Sequence, residues 1–194
     1  MDTTTGFKEW QVVCDALASG RQSIILRKGG IHEGREGFSF AHNSFFLFPT
    51  RFHAQADHVR EGRVETLAEW QTGDTVRITH RVEALHAVTL TDWQQVVALA
   101  PYHILTEAAV RERFDWQGKG MSSGSIHVAL VRVFQLAEPW ELTYTTAFGG
   151  CRSWINLPDP PANWRENSRP VLNDETFSAL AETIGLSPLK TPAP

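Results

Sequence analysis

The chain has few cysteines, no long apolar run and no excess of positive charge. Its two cysteines, Cys14 and Cys151, are isolated, so neither a disulfide framework nor a paired-cysteine zinc motif is expected. No run of about 18 apolar residues exists, which argues against a membrane-spanning helix. The start, Met1 to Thr5, is polar and lacks the charged-then-apolar pattern of a leader, so the cytoplasm is the expected location. The net charge of −4 supplies no overall basic field for nucleic acid. Glycine-rich phosphate loops ending in Gly-Lys-Ser/Thr are absent, as is the Gly-x-Ser-x-Gly setting of a serine nucleophile. No Asp…Glu-x-Lys arrangement of a nuclease type is present either.

What is present is concentrated near the start. Between Arg21 and Arg60 there are six Lys/Arg against three Asp/Glu, with four of the eight histidines (His32, His42, His53, His58). This is a cationic window in an acidic protein. Tryptophan is also abundant, with seven residues. Its large ring suits a packed core or a stacking surface.

The length of 194 residues favours one domain, here expected over 1–187, with 188–194 as a disordered tail. Phe7, Trp10, Cys14 and Leu17 recur at helical spacing and predict a first helix, stopped by Gly20. Ile24-Ile25-Leu26 running into Arg27-Lys28 predicts a buried strand, broken by Gly29-Gly30. Phe45 to Phe48 predicts another, ended by Pro49. Val76 to Leu90 alternates so regularly that it reads as one long strand with a bend or bulge. Thr91-Asp92, Thr106 and Asn173 are positioned to cap three later helices, the last stopped by Gly185. Ile126 to Leu136 and Trp140 to Phe148 read as two strands of a hairpin. Without regular β-α-β alternation the fold class is α+β: a curled, mostly antiparallel sheet with flanking helices.

Two segments carry candidate chemistry. A buried strand ending in Arg27, Lys28, Gly29 and Gly30 can offer cations and close backbone N–H groups to an anion. The aromatic strand Phe45 to Phe48 delivers Thr50, Arg51 and His53 at its end, beside an apolar wall. Arg27, Lys28, Gly29, Gly30, Thr50 and Arg51 are therefore the candidate ligand-binding residues. Glu33, His42 and His53 are the candidate catalytic acid–base groups. His53 and His58 stand five apart, a poor chelate spacing on a helix, and no metal site is assigned.

The segments Phe7-Lys8-Glu9-Trp10, Ile25-Leu26-Arg27-Lys28-Gly29-Gly30-Ile31 and Phe46-Leu47-Phe48-Pro49-Thr50 with His53 resemble an uncharacterised bacterial and cyanobacterial family, domain of unknown function 1802. Val131-Arg132-Val133 with Leu136 and Pro139 is similar to its later part. That resemblance implies no activity. The Ile-Leu-Arg-Lys strand and the His127 to Val133 strand also look somewhat like small PUA and ASCH-type barrels, which implies a partial barrel and RNA or a modified base as partner.

Three functions remain open from the residues. The first is a module binding DNA, RNA or a nucleotide. The second is a hydrolase for a small anionic or phosphodiester substrate, metal-assisted or not. The third is a partner-binding protein that uses the proline-rich stretch around Trp164.

Overall fold

The computed structural model describes residues 4–28, 40, 42–51, 53–60, 67–118 and 120–185, with the backbone alone for His53 and Ala54. Its strands are β1 (Thr4–Trp10), β2 (Ile24–Lys28), β3 (Ser44–Thr50), β4 (Thr75–Leu90), β5 (Ile126–Thr143), β6 (Trp154–Leu157) and β7 (Arg169–Pro170). Its helices are α1 (Gln11–Ala18), α2 (Trp93–Ala98), α3 (Glu107–Phe114) and α4 (Asp174–Ile184). The strands form one sheet in the order β2-β5-β4-β3-β1-β6, with β7 also on β5. Only the β1–β3 pairing is parallel among the described ladders. The protein is thus α+β with a mostly antiparallel sheet.

Alternation along β3 explains why it is buried on both faces. Phe45 and Leu47 enter one apolar cluster with Phe7, Leu26, Val82 and Leu130. Phe46 and Phe48 enter a second with Ile78, Trp140, Leu142 and Phe148. Period-two side-chain direction makes this division automatic. The first cluster draws on β1 to β5 together with α1 and α3, so it lies on the inner side of the curl.

The long β4 is present with its expected irregularity: register shifts fall between Ile78 and His80 and between Ala84 and His86. The three capping expectations also hold. The side chains of Asp92, Thr106 and Asn173 each accept a hydrogen bond from a first-turn backbone N–H. Gly185 ends α4 at φ 72°, a left-handed position that glycine takes without strain.

Three expectations fail for physical reasons. Phe7 and Trp10 belong to β1, and the first helix starts only at Gln11. Their three-residue spacing mimicked a helix, but pairing to both β3 and β6 decides the segment. Pro49 does not end β3, because the β1 ladder runs on, pairing Glu9 with Pro49 and Trp10 with Thr50, while the β4 ladder has already stopped at Phe46 and leaves no partner on that side for the missing N–H. The expected hairpin is one continuous strand, β5. Leu136 to Pro139 bulge opposite Thr79 alone, which lets the strand pass through Pro139. β6 had no expectation at all.

The curl is most evident where it nearly closes. β2 and β1 are not ladder neighbours, yet a guanidinium of β2 donates a hydrogen bond to a carbonyl of β1. This seam positions the candidate site.

Candidate functional site

On β1 the side chains of Thr5, Phe7 and Glu9 alternate onto the inner side and are all buried. Glu9 is 1% exposed. Its Oε1 accepts the backbone N–H of Trp10 at 2.8 Å. Its Oε2 lies 3.7 Å from Nη2 of Arg27. Arg27 spans the seam from β2, donates to the Lys8 carbonyl and sets its guanidinium 4.4 Å from the centre of the Phe7 ring. Arg113 arrives from α3, donates to the Leu26 carbonyl at 2.9 Å and lies 4.4 Å from the Trp10 ring centre. Burial pushes the Arg113 pKa down to about 10, against the opposing pull of Glu9.

Two guanidiniums thus face one carboxylate in a largely dry region. Buried charge is costly unless paired and fully hydrogen-bonded. Here Oε2 of Glu9 and Nε of Arg27 are buried and make no hydrogen bond among the described residues. Lys8 alternates onto the opposite face of β1, at the edge of this region. Its Nζ donates to the Gly150 carbonyl at 2.7 Å, and burial, then Arg152 and Arg27, lower its pKa. The Cys14 thiol donates to the Glu9 carbonyl at 3.8 Å, and burial holds its pKa well above the usual thiol range, so it is no nucleophile.

Aromatic rings wall this charged floor. Phe7 stacks on Phe40 with centroids 5.9 Å apart and meets Trp154 at 4.7 Å. Trp154 also packs edge-on to Phe45 at 5.2 Å and to His42 at 5.0 Å. Phe7 and Phe45 are buried, Phe40 and Trp154 half-buried, and His42 exposed. The walls therefore grade from core to rim.

The polar ends of β2 and β3 meet on β1. Arg27 binds the Lys8 carbonyl, and Thr50 Oγ1 donates to the Glu9 carbonyl at 2.9 Å. Lys28 stands 3.8 Å from Glu112 in a partly exposed pair. His42 is at the aromatic rim. Arg51 goes elsewhere, with its guanidinium 3.4 Å from the Trp70 ring centre. Gly29, Gly30 and Glu33 lie outside the described residues, as does the side chain of His53. Among the described residues, no group of three or more His, Cys, Asp or Glu could hold a metal ion.

Sequence reasoning did not assign Phe7, Lys8, Arg113 or Trp154 to the site. Reading residues 4–10 as a strand would have placed the Glu9 carboxylate on the same inward face as Phe7, an arrangement that demands a partner.

A curled α+β sheet whose seam holds charged groups behind an aromatic mouth is the class of protein these features define. The chain belongs to the family described as a domain of unknown function, DUF1802, whose model matches residues 6–183. No curated protein matches it. Among solved structures it is similar to the ASCH protein of Zymomonas mobilis at 13% identity, over 93% of this chain and 94% of that one, with a TM-score of 0.41. A serine-to-alanine variant of that protein matches at 12% identity, over 80% and 89% of the two chains, with a TM-score of 0.47. No helix among the described residues is long and apolar enough to cross a membrane.

Proposed function

We propose that the chain is a nucleic-acid-binding module that takes a single-stranded segment at the β1–β2 seam. The observation that carries this reading is the pair of buried, unbonded polar atoms, Glu9 Oε2 and Arg27 Nε, behind half-buried aromatic rings. An acceptor beside a donor complements the edge of a nucleobase, which presents both kinds of group. Phe40 and Trp154 offer faces for stacking, which works for any base because each has a π-face. Surplus positive charge from Arg27, Arg113 and Lys8 supports the phosphates. Lys28, with the Gly29 and Gly30 amides that follow it in sequence, joins this reading as a further phosphate donor.

The test is fluorescence anisotropy with short labelled single strands of RNA and DNA, at about 50 mM and about 200 mM salt. Binding that weakens steeply with salt, with quenching of tryptophan emission, is expected. Absence of binding to either strand at the lower salt would remove the reading.

A further inference from the structure

A second feature lies outside the seam. The guanidinium of Arg51, just past the end of β3, rests 3.4 Å from the Trp70 ring centre. Trp70 is itself fixed, because its Nε1 donates to the Pro49 carbonyl at 2.9 Å. Stacking orients the guanidinium plane but leaves its edge donors unused. Nε of Arg51 is buried without a hydrogen bond, and the side chain makes no ion pair or hydrogen bond among the described residues. Other arginines are differently placed. Arg27, Arg81, Arg111 and Arg132 meet carboxylates, and Arg60 and Arg113 meet carbonyls.

This guanidinium lines a groove of about 420 Å³ between α1 and the start of β4. Across it, Thr75, Arg77 and Thr79 alternate on the exposed face of β4. Arg77 pairs with Glu141 at 3.3 Å, but both side chains are about 60% exposed (61% and 60%). Such a solvated pair is weak and leaves Arg77 available to a stronger anion. Asp15 opposes an anion from the α1 side, and the Gln11 amide donates to it at 2.9 Å.

We propose that this groove binds a phosphate group through the donor edge of Arg51, with Arg77 and the threonine hydroxyls as further donors. A planar guanidinium matches phosphate oxygens in two parallel hydrogen bonds, and pre-stacking removes part of the ordering cost. The phosphate belongs either to a nucleic-acid backbone or to a free anion. The inference does not rest on the seam, since inorganic phosphate alone can test it.

The test is nitrogen–proton NMR of the full chain, reading the Arg51 Nε–H and Trp70 indole signals. Inorganic phosphate, a nucleoside monophosphate and a short single-stranded oligonucleotide are titrated separately at low salt. Movement of both signals is expected, lost in Arg51→Gln and strengthened in Asp15→Asn, which removes the opposing charge. Response to the oligonucleotide alone assigns the phosphate to a strand; response to inorganic phosphate as well assigns a free-anion site. Silence of both signals with all three probes overturns the proposal. So does a Trp70 response that survives Arg51→Gln.

Discussion

Arg27 and Arg51 begin alike in sequence and finish differently in space. Each stands at the end of an apolar strand, and each lies over an aromatic ring, Phe7 for one and Trp70 for the other. Arg27 is drawn across the seam into a buried network with Glu9 and the Lys8 carbonyl. Among the described residues, Arg51 has only its ring. What separates them is the strand opposite. β1 brings the Glu9 carboxylate and the Lys8 carbonyl into contact with Arg27, whereas the groove around Arg51 holds hydroxyls, another cation and the Asp15 carboxylate, none of them bonded to Arg51 among the described residues. A cation at a strand end is therefore drawn into a buried network where the sheet curls back on it, and left facing a groove where the sheet opens.

The difference can be broken most forcefully at Glu9. Replacing it with Ala leaves Arg27 without its paired carboxylate and removes the larger counter-charge of Arg113, so a loss of about 3–5 kcal/mol in urea unfolding is expected. A loss below about 1 kcal/mol would mean that the seam is wetter than its burial implies.

A second probe is pH. Burial, then Arg60 and Arg113, pushes the pKa of His103 down to about 4 from 6.5. Because the folded form resists the proton that the unfolded chain accepts, this contribution is complete above pH 6.5 and is lost as pH falls toward 4. Its size is on the order of 3 kcal/mol. NMR titration of His103 in Arg113→Met should show a small upward movement only, because burial and Arg60, the two larger causes, remain.

Binding gives a smaller and more selective effect. Trp154→Ala should weaken oligonucleotide binding by about 1–3 kcal/mol in anisotropy. The smallest effect belongs to Arg51→Ala, where calorimetric stability should change by about 0.5–1 kcal/mol, the scale of one partly exposed cation–π contact. A large destabilisation there would erase the contrast between the two arginines.

Legibility in the sequence followed how local each determinant was. The caps Asp92, Thr106 and Asn173 and the long alternation from Val76 were readable because turn chemistry and period act over a few residues. β1 was not, because Phe7 and Trp10 satisfy a helical spacing as well as a strand's, and the choice is made by β3 and β6 far along the chain. The continuity of β5 was hidden by Pro139, whose tolerance depends on a bulge that only pairing with β4 reveals. For the site, Arg27 and Thr50 were legible as polar strand ends. Their meeting on Lys8 and Glu9 was not, since it depends on sheet curvature that no short pattern encodes.

The uninterrupted path of β5 has a mechanical result. Its first half contributes Val128, Leu130 and Val131 to the inner apolar cluster, and its second half contributes Trp140 and Leu142 to the outer one. One rod of backbone thus clamps two packed layers, and neither can loosen without bending the other. Amide hydrogens of its first half, from Val128 to Val131, which is buried between β2 and β4, should be among the last to exchange with solvent, opening only when the whole molecule unfolds.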